Sequence, residues 1–249
     1  MKYLYNIYTL FIAVPVILVA TILTCIFTVV GCHFGDGHFW GYQPGRIWSK
    51  VICRILLLSI KVEGRENIDP STSYVFVANH QGSFDIFLIY GYLGRNFKWM
   101  MKKALRKMPG VGKACEAAGH IFVDKSGPKK IAETQAHARK TLQGGTSLVV
   151  FPEGARSFTG HMGVFRKGAF QLASELDLAI VPLTIDGSFD VLPRTSLWPR
   201  HHSMKLTIHK PIVCGKSHEE MKETIDKAYE IIESALPERH KGFVENPDQ

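Results

Sequence analysis

Residues 74–85 read Tyr-Val-Phe-Val-Ala-Asn-His-Gln-Gly-Ser-Phe-Asp, and the fold class follows from that stretch. Tyr74–Ala78 is a continuous apolar run with no alternation, the pattern of a strand buried on both faces of a parallel sheet. A turn containing Gly82 follows, and a helix is expected from Asp85 to Tyr92. Strand, tight turn and helix make a βα unit. Ligand sites in such sheets cluster beyond the carboxyl ends of the strands. His80, emerging from one of those ends, is therefore the first candidate functional residue.

The same grammar continues outward. Strands are expected at Phe97–Met101, Ile121–Val123, Ser147–Phe151 and Ala179–Ile185. Met204–His209 alternates, as an edge strand does. Helices are expected over residues 102–117, interrupted by Pro109 and Gly110, and over Pro128–Leu142, Gly168–Glu175 and Ser217–Leu236. Alternating strands and helices predict an α/β domain with a mostly parallel or mixed sheet flanked by helices. The chain has 249 residues, enough for one such domain and a short appendage. We place the appendage at 1–62 and the domain at 63–249.

The appendage is apolar. No charged side chain occurs from Tyr3 to Gly31, a run of roughly 43 Å if helical at 1.5 Å per residue. A bilayer core takes about 20 residues, so the run is long enough to span, and Pro15 is expected to kink it. It is too long for a cleaved signal peptide. It reads either as a tilted span or as a helix lying in one leaflet beside a second segment. Residues 46–60 offer that segment: Ile47, Trp48, Val51, Ile52, Ile55, Leu56 and Leu58 recur at helical spacing with Lys50, Arg54 and Lys61 interleaved. Such a helix suits an anionic bilayer surface, and equally a core-packing role. Lys2 alone precedes the run, whereas Arg46, Lys50, Arg54, Lys61 and Arg65 follow it. If the run spans, this asymmetry puts the following domain on the cytoplasmic side of a cytoplasmic membrane.

The net charge is +8, and zinc-finger, RNA-binding-strand and groove-entering-helix signatures are absent, so no nucleic-acid partner is expected. Five cysteines without a C-x-x-C pair read as buried thiols in a reducing compartment. There is no G-x-S-x-G elbow, no P-loop and no dinucleotide fingerprint. No His/Cys group has metal-ligand spacing, and no metal or cofactor is expected. His201-His202 reads as surface loop.

Three clusters carry chemistry. In Asn79-His-Gln-Gly-Ser-Phe-Asp85, four residues across a turn let Asp85 fold back on His80, fix its tautomer and free the other nitrogen as a base toward an alcohol. Alternatively Asp85 caps its helix and His80 is a surface histidine. In Phe151-Pro-Glu-Gly-Ala-Arg-Ser157, Arg156 can grip a phosphate and Glu153 can accept from a hydroxyl, unless the two simply pair with each other. In Gly119-His-Ile-Phe-Val-Asp-Lys125, Lys125 follows a short strand as a phosphate ligand or as a solvated charge. Arg166-Lys167-Gly168 opens a helix whose amides favour an anion. Lys98, Lys102, Lys103, Arg106 and Lys107 form a basic patch fit for an acidic carrier protein, for the phosphates of a coenzyme or for solvent.

These blocks, with Ile180-Val-Pro-Leu183, resemble in order the four sequence blocks of the glycerolipid acyltransferases over roughly residues 63–215. Two positions depart: Lys125 stands where arginine is usual, and Ala155 where threonine is usual. The resemblance implies attack of an acceptor hydroxyl on acyl-CoA or acyl-carrier protein. His80 would be the base and Asp85 its orienter, with Lys125, Glu153, Gly154 and Arg156 gripping a glycerol phosphate. The acceptor it implies is the 2-hydroxyl of lysophosphatidate in the bilayer, giving phosphatidate. Another acceptor (glycerol 3-phosphate, a lyso-ornithine lipid or another lysophospholipid) stays open, as does a membrane lipid-binding module without turnover.

Overall fold

The strand that begins at Val75 lies in the middle of a seven-stranded sheet. In a computed structural model the described residues are 2–124, 126–143 and 146–244. The strands are β1 Ser59–Glu63, β2 Val75–Ala78, β3 Phe97–Lys102, β4 Ile121–Val123, β5 Ser147–Val150, β6 Ile180–Asp186 and β7 Ser203–Ile208. Their order is β1-β7-β6-β2-β5-β3-β4. All neighbouring pairs are parallel except β6 with β7, so the sheet is mixed as expected.

The helices are α1 Lys2–Tyr8, α2 Val14–Phe34, α3 Gly37–Trp40, α4 Gln43–Ile55, α5 Phe84–Tyr92, α6 Val111–Ala117, α7 Pro128–Gln143, α8 Gly168–Glu175, α9 Ser188–Val191 and α10 His218–Ser234. Alternate residues of β2 divide the core. Phe76 and Ala78 face α4 and α5, whereas Val75 and Val77 face α7, α8 and α10. Burial on both faces is why that strand showed no alternation.

Two expectations are corrected. The stretch read as helical to Ile60 ends at Ile55, and Ser59–Glu63 is a strand, so the boundary placed at 62/63 falls inside β1. Strand β7 is not an edge, because β1 pairs with it from Ser203 to Thr207. Its alternation has another cause: Met204, Leu206 and Ile208 are buried beneath one face, while Lys205 meets Glu63 on the open face.

The N-terminal helix runs almost unbroken from Tyr3 to Phe34, 32 residues. Pro15 has no N–H to offer the carbonyl four residues earlier. A wider π turn at Thr9–Ala13 precedes it and shifts the hydrogen-bond ladder where that donor is missing. Only 6% of the most apolar window is buried. The buried side carries the hydroxyls: Thr28 is enclosed, and the indole of Trp48 donates to Thr21 at 2.9 Å. Helix α4 also packs inward, through Ile52, Cys53 and the contact of Trp48 with Phe87, while Ile47 stays 60% exposed. Its core-packing role is thus real, and its outer face remains available. All five cysteines are free thiols; Cys53 and Cys214 are buried as expected, whereas Cys25, Cys32 and Cys115 are only half-buried.

Candidate active site

Strand β2 delivers His80 to the carboxyl edge of the sheet, and the neighbouring loops fix it there. Asn79, wholly buried, bonds both ways with the backbone of Ile185 on β6 at 2.8 and 2.9 Å, so the direction in which β2 ends is set. The His80 amide then donates to Glu153 Oε1 at 2.7 Å, and its carbonyl accepts from the Ser157 amide at 2.8 Å. The turn closes tightly. A side chain on Gly82 would strike Ser188 at 2.6 Å.

The ring is held as firmly as the backbone. His80 Nδ1 lies 2.7 Å from Asp85 Oδ2, and the Gly82 amide donates to the same oxygen at 2.9 Å. Asp85 therefore does fold back on the imidazole, and the purely capping alternative fails. Its carboxylate is fully buried, while the His80 side chain keeps 14% of its surface open. The imidazole also stacks on Phe151, centroids 3.9 Å apart and planes 8° apart, and Phe151 stacks in turn on Trp99. With Nδ1 facing a carboxylate, the proton belongs there and Nε2 keeps the free lone pair.

A cavity of about 440 Å³ opens at His80, within the usual range for small-molecule sites. Trp99, Met101, Val123, Ile131, Phe151 and Ala169 supply much of its apolar wall, and Lys102, Gly154 and Arg166 are polar or backbone contributors. Gly154 has φ +78°, a left-handed turn that glycine adopts without strain.

The expected ligands divide. Arg156 Nη1 donates to Ser83 Oγ, which puts the guanidinium on the His80–Asp85 turn, and Arg194 Nη1 donates to the Arg156 carbonyl at 3.3 Å. Glu153 is not where the sequence suggested. It is 1% exposed, and its two oxygens accept from the His80 and Gly163 amides at 2.7 and 2.8 Å. It turns inward behind the base rather than toward a ligand. Burial pushes its carboxyl up to about 8, against the pull of those two amides. Lys125 lies outside the described residues. The basic patch is smaller than expected, since Lys98 is buried, Lys103 pairs with Asp124, and Arg106 with Glu116.

Sequence reasoning missed two residues. Phe151 was quoted only as the start of its block, yet it forms the platform under the imidazole. His120, 5% exposed, accepts from the Trp99 amide through Nδ1 at 3.2 Å and is held well below the usual histidine range by burial, to about 3. An aromatic directly before a Pro-Glu-Gly turn was the available signal for Phe151. His120 gave none.

The chain is similar to known proteins. A 1-acyl-sn-glycerol-3-phosphate acyltransferase from Arabidopsis thaliana chloroplasts is 32% identical over 190 residues, 73% of this chain and 53% of that protein. The Saccharomyces cerevisiae enzyme of the same name is 30% identical over 182 residues, 72% of this chain and 59% of that one. The chain thus spans about half the length of the curated relatives it matches. The crystal structure of the 1-acyl-sn-glycerophosphate (LPA) acyltransferase PlsC from Thermotoga maritima superposes with a TM-score of 0.76 at 25% identity, covering 93% of this chain and 95% of that one. The acyltransferase family model matches residues 59–186, which runs from the first residue of β1 to the last of β6 and holds His80, Asp85 and Arg156. On the site geometry and that match together, the chain belongs to the acyltransferase family.

Proposed function

We propose that this protein transfers a fatty acyl group from a thioester, acyl-CoA or acyl-carrier protein, to the 2-hydroxyl of lysophosphatidate, forming phosphatidate for phospholipid synthesis. The observation that carries this is the His80–Asp85 pair at the mouth of an apolar cavity, with the Arg156 guanidinium on the same turn.

The acyl chain occupies the cavity and brings its thioester carbonyl to His80. The lysolipid phosphate sits against Arg156, with Lys125 beyond β4 as a second cation and Gly154 offering backbone close to the reacting groups. His80 Nε2 takes the proton of the acceptor hydroxyl as its oxygen attacks the carbonyl. Asp85 stabilises the imidazolium that forms. The tetrahedral intermediate collapses, the C–S bond breaks, and the Nε2 proton leaves with the thiolate, so His80 ends neutral. Glu153 acts behind the base as a positioning residue. The acceptor is supported by the names of the relatives, while a thioester donor and a reaction without a cofactor rest on this chemistry alone.

We further place the protein at a membrane. The exposed apolar face of α1 and α2 suits lipid, and Tyr5 and Tyr8, bonded to the Leu56 and Ile55 carbonyls, keep the start of that helix beside the domain, as suits a helix lying in one leaflet; the free thiols favour the cytoplasmic side of a cytoplasmic membrane. No nucleic acid is involved.

Labelled acyl-CoA and acyl-carrier protein, offered with lysophosphatidate in detergent, test the proposal. Wild type should yield phosphatidate, and His80→Ala should be slower by about 10²–10⁴-fold while still folded. Product on another acceptor alone would reject lysophosphatidate. No product on any acceptor would favour a lipid-binding module.

A further inference from the structure

Three separate segments place unpartnered apolar side chains around the sheet edge that carries His80. The loop after α9 ends in a built turn: the Ser196 amide donates to the Pro193 carbonyl at 3.0 Å, and the Trp198 amide to Ser196 Oγ at 3.2 Å. That turn holds Leu197 93% and Trp198 47% exposed. The turn between α4 and β1 presents Leu57, 55% exposed and at φ +58°. A leucine in the left-handed region costs about 1 kcal/mol or more, and here that conformation aims an apolar group at solvent. The third segment is the start of α1, with Tyr3 and Leu4 exposed.

The segments are contiguous. Tyr5 of α1 meets the ring of His201, three residues beyond Trp198, at 6.2 Å, and the Tyr5 hydroxyl donates to the carbonyl of Leu56 at 3.0 Å. Ser59 and Ser203, the first residues of β1 and β7, are register partners. The loop root is tied to the site through Arg194 and the Arg156 carbonyl. Leu57, Leu197 and Trp198 therefore continue the apolar face of the N-terminal helix onto the α/β domain. Arg200 is exposed beside them.

We propose that Leu57, Leu197 and Trp198 are a second membrane contact, one made by the acyltransferase domain itself, at which the bilayer interface meets the active-site edge. It rests on the membrane placement proposed above. Tryptophan is favoured at the level of lipid headgroups, and arginine beside it meets lipid phosphate. Continuity with the N-terminal helix favours a bilayer over a protein partner as the occupant. Seated this way, the leaflet abuts Arg156, and an acceptor lipid reaches His80 without crossing water.

The test uses the full chain on phosphatidylglycerol–phosphatidylcholine vesicles with acyl chains brominated near the headgroup. Trp198→Phe isolates the contribution of Trp198 from those of the other tryptophans. The wild type should show a quenched component that Trp198→Phe lacks. A Leu57→Ser/Leu197→Ser/Trp198→Ser variant should still sediment with vesicles through its N-terminal helix. It should turn over a short-chain soluble acceptor at the wild-type rate, and long-chain acceptor embedded in vesicles roughly tenfold more slowly. Unquenched Trp198 on vesicle-bound protein would overturn this inference alone. Wild type that fails to sediment with vesicles would overturn the membrane placement and this contact together. Equal loss on both acceptors, or a change of oligomeric state in detergent, would also overturn it, by assigning the patch to the fold or to a second copy. The quenching result does not depend on which acceptor is used, so it stands if lysophosphatidate proves wrong.

Discussion

His80 has one free atom of consequence. Its amide, carbonyl, Nδ1 and one ring face are occupied by Glu153, Ser157, Asp85 and Phe151 respectively, leaving Nε2 for chemistry. Three of those four partners come from the block that the sequence had assigned to the acceptor. Glu153→Gln should therefore act on the base. The amide side chain has one acceptor atom for two backbone donors, so one bond is lost and the other group is set against an N–H. We expect kcat to fall roughly 10–100-fold with acceptor KM within about twofold, since an interaction with the base leaves ground-state binding untouched. A rise in acceptor KM at unchanged kcat would return Glu153 to the substrate. His80 and Asp85 were legible because a fixed spacing across a turn implies contact. Glu153 was not, because its residue type is equally suited to a ligand and to buried amides, and only depth in the fold separates the two.

His120 makes a prediction of its own at this scale. It is buried neutral, with Nδ1 accepting from the Trp99 amide and Nε2 toward the Tyr90 hydroxyl. Burial, and secondarily Lys98, lowers its folded pKa to about 3 from 6.5. A depressed folded value means that the unfolded chain takes up the proton first. The contribution is thus complete above pH 6.5 and lost as pH falls from 6.5 toward 3, on the order of 5 kcal/mol in all. Denaturant unfolding of wild type and His120→Gln between pH 7 and 4 checks it. The difference in stability between the two should shrink as the solution is acidified, and parallel acid limbs would sink the idea.

Among elements, helix α7 and strand β4 close the cavity on the side away from α5, with Ile131, Thr134 and Gln135 of α7 on the wall. If the acyl chain lies there, a larger side chain at Ile131 shortens it. Ile131→Trp should shift preference toward shorter acyl donors by roughly tenfold in relative kcat/KM, the scale of one or two methylenes in an apolar pocket. Competition between long-chain and medium-chain donors measures this, and an unchanged ratio would remove α7 from the tunnel. Elements of this kind were readable from sequence wherever one period dominated: β2 by its unbroken apolar run, α10 by its spacing and by the Ser217–Glu220 capping box. Strand β1 failed that test, since Ser59–Glu63 follows an amphipathic helix closely enough for the helical spacing to run on into it. The mistaken edge at β7 followed from the same omission.

At the scale of the whole molecule, charge and apolar surface are segregated in a way that composition could not show. Arg46, Lys50 and Arg54 recur one turn apart on α4, and none of them forms an ion pair among the described residues. Burial, and the like charges of Arg46, Arg65 and Arg54, lower the Lys50 ammonium below its ordinary range, so the cations repel one another and are relieved by an anionic neighbour. Helix α4 packs against the apolar α2, which would bring that neighbour within reach as lipid phosphate. Each basic side chain at an anionic surface is worth about 1 kcal/mol. Replacing all three by Gln should weaken binding to phosphatidylglycerol vesicles by roughly 100-fold at low salt. Binding to neutral phosphatidylcholine vesicles, driven by the exposed apolar helix, should change little. Raising ionic strength shortens the screening length to about 8 Å at 0.15 M, so the gap between wild type and variant should narrow with salt. If both vesicle types lose the variant equally, α4 serves the core alone and the helical face of α1 and α2 carries the whole attachment.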